Sequence, residues 1–405
     1  MSKSVFFFVL VLISGCMNRN VPHQELSGTL SVSRDSLAQC VREEYLRSWQ
    51  DYKSHAMGFD DVLSVSGQPH NWYGESLLIT PIDALDGMIL PGLKQEADSL
   101  VGYIVRQASW DKDVDVSVFE INIRCLGELL ASYEMTGDER LLYLAEDLGK
   151  RLLPVFSSST GMPYRFVNLH SDRISGKVSN PAEIGTLILE VGVLSRCTEN
   201  PLYYDLAKRA ITELNNNRSS IGPVGETINV ETGEWTNTSS HVGACIDSYY
   251  EHLYKGWLLF GDPNRKIMWD THIQAVNRHC AAENQKGFWY GRVDMQIIPG
   301  GEMYYLRPEI IESCYYLHHC TGEEKYLEMA GRIFSDLQAH ARTGIGYTVV
   351  RNLITKEKRD RMESFLFGET LKYLYLIFAP EETIDFDQVI FTTEAHPMTY
   401  KDVTI

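Results

Sequence analysis

The sequence lacks the features that mark several large classes of protein. Its 405 residues include only 37 basic residues against 54 acidic ones, and the net charge is −17. This balance argues against nucleic acid or anionic lipid as a partner, because both require clustered positive charge. Gly and Pro number 30 and 14, too few for a fibrous or disordered chain. No glycine-rich phosphate loop, nucleophile elbow or parallel-strand pattern is present. An acidic globular chain remains, suited to neutral ligands and to cations.

Cysteine occurs eight times without the spacing of a zinc site. Beyond Cys16, no pair shows Cys-x-x-Cys spacing. Most of the others lie inside apolar helical stretches, so we expect buried thiols rather than disulfides. These seven are Cys40, Cys125, Cys197, Cys245, Cys280, Cys314 and Cys320.

The N-terminus has the pattern of an export signal. A short basic start precedes an apolar run, 5–13, which is too short to span a bilayer. The ending Leu12-Ile13-Ser14-Gly15-Cys16 is similar to a bacterial lipobox, although an ordinary signal with a chance Cys is the alternative. We therefore expect a signal peptide at 1–15, lipidation of Cys16, a polar tether at 16–33 and a single domain at 34–405. The lipid would anchor the exported chain to the bacterial envelope, in the outer membrane because Met17 is not Asp.

Helical periodicity fills the rest of the chain and repeats at long range. Four turn signals lie 62, 62 and 61 residues apart: Thr136-Gly137-Asp138, Thr198-Glu199-Asn200, Phe260-Gly261-Asp262 and Thr321-Gly322-Glu323. Each separates two amphipathic helices, since Gly suits the C′ position and the polar residue beside it can cap the next helix. About twelve helices, or roughly six hairpins, are predicted. Because the return segments are long, the pattern favours a closed all-α (α/α) toroid over a flat solenoid.

Acidic residues recur in phase with the hairpins. They precede or begin successive apolar helices at spacings of 63, 64, 62 and 60 residues, at Glu120, Glu183, Asp247, Glu309 and Glu369. Carboxylates favour helix N-termini, but that preference accounts for one or two of them rather than five in phase. In a toroid, equivalent positions face one mouth. Such a ring of acids suits glycoside hydrolysis by a carboxylate pair and the binding of a hard cation.

Collinear motifs from about residue 70 to 398 carry a family resemblance. The sequence resembles glycoside hydrolase family 47, the class I α-1,2-mannosidases, and in particular its bacterial members. The matching stretches span 80–86, 118–124, 182–186, 246–251, 306–313, 361–365, 369–376 and 391–397. The resemblance implies an (α/α)₇ barrel plugged by a C-terminal hairpin, and a calcium-dependent exo-enzyme that removes α-1,2-linked mannose with inversion. It also implies a mannose-containing oligosaccharide as the substrate, and we expect a monomer.

The family pattern assigns roles to residues of this chain. It implies direct calcium ligation by Thr393, through its hydroxyl and carbonyl, with waters held by Glu183, Glu309, Glu312 and Glu369. Glu309 matches the base, and the acid is either Glu120, acting through a water, or Asp247. Arg124 and Arg307 would contact sugar or orient the acids, Phe365 would stack on the sugar, and Glu369 would also bind substrate. Arg124 is equally an i,i+4 partner of Glu120, and both roles can hold together.

The chain departs from the family between Met295 and Leu306, where a helical hairpin that lines the substrate cleft is missing. We therefore expect an incomplete ring with an open subsite beside Glu309 and Glu312, and reduced activity. Two alternatives remain open: a mannose-glycan-binding lipoprotein that has lost turnover, and a different glycosidase with an α/α toroid.

Overall fold

A computed structural model describes residues 33–284, 287–290 and 303–400; for 281–284 and 287–290 the backbone alone is described. The predicted signal peptide at 1–15, Cys16 and the tether up to residue 32 lie outside the described residues. The same holds for 291–302, which covers most of the segment in which we expect the missing hairpin.

Helices dominate the described part of the chain. It contains eleven α-helices of eight residues or more, close to the twelve expected: Arg34–Ala56, Lys94–Gln107, Gly127–Thr136, Glu139–Leu152, Leu187–Thr198, Pro201–Asn216, Asp247–Phe260, Pro263–His279, Glu309–Thr321, Lys325–Asp336 and Leu371–Phe378. Shorter α-helices are Ile79–Asp83, Asp86–Ile89, Val118–Ile121 and Pro181–Gly185. Three π-helical turns, Asn122–Leu126, Leu337–Ala341 and Leu366–Thr370, and two 3₁₀ turns, Leu153–Ser157 and Glu381–Thr383, complete the set.

All four predicted turn signals join two helices. Gly137, Gly261 and Gly322 have φ angles of 70°, 68° and 70°, the left-handed conformation that glycine adopts without strain. Glu199 adopts the same conformation with φ 53°. The residue after the turn caps the next helix through its side chain in the first three hairpins, at Asp138, Asn200 and Asp262. The hairpin prediction is therefore confirmed at each of its four marks.

The two helices of a hairpin differ in burial in three of the four hairpins, as is typical of a layered helical fold. Leu187–Thr198 is buried at every position from Leu187 to Ser195. Glu139–Leu152 buries only one face, at Leu141, Leu142, Ala145, Leu148, Gly149 and Leu152. In the first three hairpins the first helix is the more buried of the two, whereas in the fourth Glu309–Thr321 and Lys325–Asp336 are buried to a similar extent.

Short antiparallel sheets occupy segments between helices and, near the C-terminus, the segment after the last helix. Two have three strands: Asp115–Ser117, Phe166–Asn168 and Ile174–Ser175 form one, and Val178–Ser179, Thr227–Asn229 and Trp235–Asn237 form the other. The two-stranded sheets pair Asp61–Leu63 with Gln68–His70, Ala281–Asn284 with Gly287–Tyr290, Val350–Asn352 with Glu357–Lys358, and Val389–Phe391 with Pro397–Thr399. In the three-stranded sheets, strand ends lead directly into the helices that carry Glu120 and Glu183.

Contacts divide the chain into two compact units. Of the described residues, unit 1 contains those within Met1–Trp72, Leu78–Leu100 and Glu283–Asp385, and unit 2 contains those within Tyr73–Leu77, Val101–Ala282 and Phe386–Ile405. Unit 1 therefore contains Glu309, Glu312 and Glu369. Unit 2 contains Glu120, Glu183, Asp247 and Thr393. The expectation of one domain from residue 34 onward stays a prediction.

Two further expectations concern cysteine and the membrane. The seven cysteines of the described region are thiols, but only Cys125 and Cys314 are buried, while Cys40 and Cys320 are exposed. The prediction of buried thiols is thus wrong for most of them, because positions near helix ends and on outer faces stay accessible. Among the described helices, none combines the length and the apolarity needed to cross a bilayer.

Candidate active site

The five phased acids lie where the repeat predicts them, at or near a helix start. Glu120 is in the first turn of Val118–Ile121 and Glu183 in that of Pro181–Gly185. Asp247 and Glu309 are the first residues of their helices. Glu369 lies in the π-helical turn that precedes Leu371–Phe378. Within unit 2, Pro181–Gly185 packs against both Val118–Ile121 and Asp247–Phe260, so three of the acids start neighbouring helices.

Glu120 is held by its own helix start and by a positive side chain one turn on. The hydroxyl of Ser117 accepts a hydrogen bond from the Glu120 backbone N–H, which caps the helix. Arg124 Nε donates to Glu120 Oε2 at 2.9 Å, the predicted i,i+4 pair. The π-helical turn Asn122–Leu126 follows directly, and such turns are frequent at functional sites. The Glu120 side chain remains 34% exposed and can reach a ligand.

Arg124 bridges two carboxylates. Its Nη1 group also pairs with Glu394 of the C-terminal hairpin, 270 residues away in sequence. The Arg124 side chain is only 9% exposed. Of the two roles that the resemblance implies for Arg124, this burial favours orienting the acids over contacting a sugar.

Glu183 is ion-paired. Arg165 Nη2 donates to Glu183 Oε1 at 2.7 Å, and Nε lies 2.7 Å from Oε2. Ser179 Oγ donates to Oε2 at 3.0 Å, while Asn180 caps the helix by accepting from the Glu183 N–H. Glu183, which the family pattern assigns to hold a calcium-bound water, is therefore already paired with a positive side chain. The sequence motif did not indicate this pair.

Asp247 is exposed, and its Oδ1 atom accepts a hydrogen bond from the N–H of Ser248 at 2.9 Å. Two residues earlier, Cys245 has a φ of 78°, an unusual conformation for a residue with a side chain. Burial raises the pKa of the Cys245 thiol, and the negative charges of Glu226, Glu183 and Asp247 raise it further. The thiol is therefore protonated at neutral pH and surrounded by carboxylates.

Thr393 lies on the hairpin formed by Val389–Phe391 and Pro397–Thr399, as predicted. The hairpin is firmly held in unit 2, where Thr392, Ala395 and His396 are fully buried. The Thr393 hydroxyl interacts with Glu251, one turn after Asp247 on the same helix. Burial alone would raise the pKa of Glu251, but Lys255, His252 and Thr393 hold the pKa below its usual value. An ionised carboxylate thus lies beside the candidate calcium ligand.

A set of fully buried polar side chains begins with Asn122, two residues after Glu120. Asn122 Nδ2 donates to Glu190 Oε2 at 2.9 Å, and both side chains are fully buried. Burial raises the pKa of Glu190 to about 8, so this carboxyl is mostly protonated at neutral pH. His396 Nδ1 lies 3.0 Å from Glu128 Oε2, with neither side chain accessible. These groups are too enclosed to meet a substrate and instead fix the hairpin and the helices.

In unit 1, the candidate base is accessible. Arg307 Nη1 lies 3.0 Å from Glu309 Oε1, with exposed fractions of 60% and 57% for the two side chains. The Arg307 guanidinium also lies over the ring of Tyr305, 5.9 Å from its centroid. One turn later, Glu312 accepts a hydrogen bond from Tyr373 Oη at 3.3 Å. Arg307 therefore has the open position that a sugar contact requires, which Arg124 lacks.

Glu369 is buried in its π-helical turn, and this turn packs against the stretch 80–86. A Cβ atom at Gly368 would lie 2.6 Å from Asp83 Oδ1, so only glycine permits this approach. Lys372 Nζ lies 2.8 and 2.6 Å from the two oxygens of Asp86. Phe365, the candidate stacking residue, is half-buried immediately before the turn. The motif thus has a structural role, which is to place Glu369.

Several residues of these clusters were missed by sequence reasoning. Arg165, Glu190, Glu251 and Glu394 pair with or adjoin the candidate residues, yet they have no recurring spacing of their own. Glu251 and Glu394 carried a local signal, because Glu251 lies four residues after Asp247 on one helix face and Glu394 directly follows Thr393 in the matching stretch 391–397. The partners of the others are distant in sequence and could not be identified from periodicity.

Comparison with known proteins identifies the family. A sequence profile described as glycosyl hydrolase family 47 matches residues 44–296 and 291–400. "Alpha-mannosidase I MNS4" of Arabidopsis thaliana is 33% identical over 430 residues, covering 88% of this chain and 68% of that protein. "Mannosyl-oligosaccharide 1,2-alpha-mannosidase MNS1" of the same plant is 28% identical over 442 residues, covering 89% and 78%.

A solved structure shows the same architecture. The alpha-1,2-mannosidase from Trichoderma reesei superposes with a TM-score of 0.82 at 24% identity, covering 91% of this chain and 99% of that one. This likeness confirms the predicted all-α fold of the (α/α)₇ type. With the profile matching most of the sequence, the chain belongs to glycosyl hydrolase family 47.

Proposed function

We propose that this protein is an exported, lipid-anchored and calcium-dependent exo-α-1,2-mannosidase that acts with inversion. The observation that carries the proposal is the accessibility of the three candidate carboxylates. Glu120 and Glu309 expose 34% and 57% of their side chains, and Asp247 is exposed as well. Each lies in the first turn of a helix. Family membership and the name of the plant 1,2-alpha-mannosidase support the substrate class.

The reaction needs one carboxyl as the acid and one carboxylate as the base, on opposite sides of the glycosidic bond. Glu309 is proposed as the base that activates water, because its carboxylate is open and its neighbour Arg307 can orient it. Glu120, through a water, or Asp247 protonates the leaving oxygen. Arg124 fixes Glu120, while Arg307, Phe365 and Glu369 are proposed to bind the sugar.

The donor chemistry fits calcium, since every proposed group offers oxygen and none offers nitrogen or sulfur. Thr393 would ligate the ion directly, and Glu183, Glu309, Glu312 and Glu369 would hold its waters. Glu251 adds an ionised carboxylate beside Thr393. When bound, the ion supplies a hard positive charge that sugar hydroxyls can ligate. The ion pair with Arg165 makes Glu183 less available to hold a calcium-bound water than the other carboxylates of the set.

This chain is shorter than the plant relative MNS4 over the aligned region, and this difference supports the expectation of a lower activity. The alignment with MNS4 runs over 430 positions but uses 88% of this 405-residue chain, about 356 residues. The difference, 430 − 356, is about 74 positions that the relative carries and this chain lacks. A lost wall beside Glu309 would admit water and weaken an enclosed, pre-organised site.

The direct test incubates the protein with α-1,2-mannobiose, with calcium and with a chelator. Mannose release only with calcium supports the proposal, and NMR of the first product should show β-mannose. Early α-mannose would exclude inversion. Sugar binding without turnover would instead favour the mannose-glycan-binding alternative, and no binding to mannosides would refute both.

A further inference from the structure

Arg165 connects two of the candidate acids through its backbone and its side chain. Its carbonyl accepts a hydrogen bond from the Val118 N–H at 2.9 Å, at the start of the helix that carries Glu120. Its own N–H donates to the Gly176 carbonyl at 3.2 Å. The main chain at Arg165 is therefore fixed by bonds that do not depend on the side chain.

One edge of the Arg165 guanidinium faces Glu183. Nη2 donates to Oε1 at 2.7 Å, and Nε lies 2.7 Å from Oε2 within the same ion pair. The guanidinium carbon also lies 5.4 Å from the centroid of the Phe166 ring. An acid and an aromatic ring together hold the group in one orientation.

The other edge of the guanidinium has no protein partner. Among the described residues, Nη1 forms no hydrogen bond or ion pair, and the Arg165 side chain is 40% exposed. Its surroundings are acidic, since Glu183, Glu226 and Asp247 all act on the neighbouring Cys245. An oriented guanidinium with free N–H groups is a donor pair for ligand oxygens, and carboxylates beside it accept hydrogen bonds from hydroxyls.

We propose that Arg165 is a sugar-binding residue of unit 2, whose free N–H edge donates to adjacent hydroxyls of a mannoside while Glu183 holds the group in place. This inference rests on the proposed function for the class of ligand. It explains why a guanidinium lies among candidate catalytic acids: it balances part of their charge and still offers donors to a neutral ligand. Lysine in its place would keep the charge and lose the planar donor edge.

The test measures binding and turnover of α-1,2-mannobiose in Arg165→Met and Arg165→Lys. Arg173→Met and Arg173→Lys are the matched controls. Arg173 lies in the same sheet region, pairs with Asp115 at 2.9 Å and is 65% exposed. Titration calorimetry gives Kd whether or not the sugar is cleaved. Because a hydrogen bond to a charged group is lost, both Arg165 variants should bind at least about tenfold more weakly. KM should rise by a similar factor while kcat falls much less, and melting temperatures should stay near wild type.

The outcomes separate the alternatives. Normal Kd and KM in Arg165→Lys would overturn the proposal, since Arg165 would then act only through its charge on Glu183. Normal Kd in Arg165→Met would overturn it as well. If the wild type binds mannobiose without cleaving it, the proposal of mannosidase activity is refuted. The Kd values of the variants then still test whether Arg165 binds the sugar. If the wild type neither binds nor cleaves, both proposals are refuted.

Discussion

Lys372 Nζ lies 2.6 Å from Asp86 Oδ2, and neither side chain has any exposed surface. The two residues are 286 positions apart in sequence. Their ion pair joins the short helix Asp86–Ile89 to the helix that follows Glu369. Removing Lys372 would take a buried positive charge away from the Asp86 carboxylate, which costs far more than losing an exposed pair.

Lys372→Met should therefore destabilise the protein by about 3–5 kcal/mol in urea unfolding. The control is Lys94→Met, because Lys94 and Asp98 form a pair with side chains 84% and 65% exposed. That change should cost no more than about 1 kcal/mol. Equal losses in the two variants would show that the buried pair contributes nothing special.

Glu309→Gln should abolish mannose release and leave the fold intact. The amide keeps the shape but cannot accept the proton of the attacking water, and the exposed position tolerates the change. Glu323→Gln is the control, since Glu323 is similarly accessible and pairs with Lys325 as Glu309 pairs with Arg307. A loss of at least about 100-fold in kcat is expected from the role of a general base. A near-normal rate in Glu309→Gln would remove Glu309 as the base.

Calcium should raise the melting temperature as well as the activity, because a ligand bound only by the native state stabilises it. At 100 times Kd the gain is about 2.7 kcal/mol. Thr393→Ala should lose most of this gain, whereas Thr399→Ala, on the same hairpin, should keep it. Thr399 is a suitable control because its backbone N–H, which donates to Glu134 at 2.8 Å, is kept in the alanine variant. Identical calcium responses in the two variants would contradict the assignment of Thr393.

Glu190 should make stability depend on pH. Burial raises its pKa from 4.5 to about 8, so the native state retains a proton that the unfolded state releases. The stabilising contribution of this bound proton is complete below about pH 4.5 and is lost as the pH rises through about 8. The slope in that window is about 1.4 kcal/mol per pH unit.

Glu190→Gln should remove this slope, so its stability relative to wild type should increase between pH 5 and 8. The pKa values of buried His252 and His272 are both lowered to about 4 by burial, which gives the opposite slope below pH 6.5. Because wild type and variant share these histidines, their difference isolates Glu190. Urea unfolding at several pH values measures it, with the partly exposed Glu146→Gln as the control. A constant difference across the range would show that Glu190 is ionised in the native state.

Cys16→Ser should yield a protein that is neither lipidated nor cleaved before residue 16. Mass spectrometry and membrane fractionation in a bacterial host measure both effects. Cys40→Ser controls for the loss of a thiol, since Cys40 is exposed and lies after the proposed tether. Unchanged mass and unchanged fractionation in Cys16→Ser would contradict the lipobox interpretation.

Local signals account for what the sequence predicted well. Gly137, Gly261 and Gly322 end helices because of their own backbone freedom, and Asp138 and Asp262 cap the next helices within two residues. The phase of these turns also located Glu120 and Asp247. The pairs Arg124–Glu394 and Asn122–Glu190 were not predictable in this way, because their members are 270 and 68 residues apart and only folding brings them together. Thr393 was found solely through the family motif, since a lone threonine has no pattern.

The C-terminal hairpin also sets an order of events during synthesis of the chain. The last long helix of unit 2 ends at His279, yet Thr392, Ala395 and His396 fill buried positions in the same unit. The ribosome must translate more than 100 residues, most of them belonging to unit 1, before these side chains exist. A nascent chain that has completed every helix of unit 2 therefore still has an open core and an Arg124 without Glu394. Unit 2 reaches its native state only after unit 1 has been made.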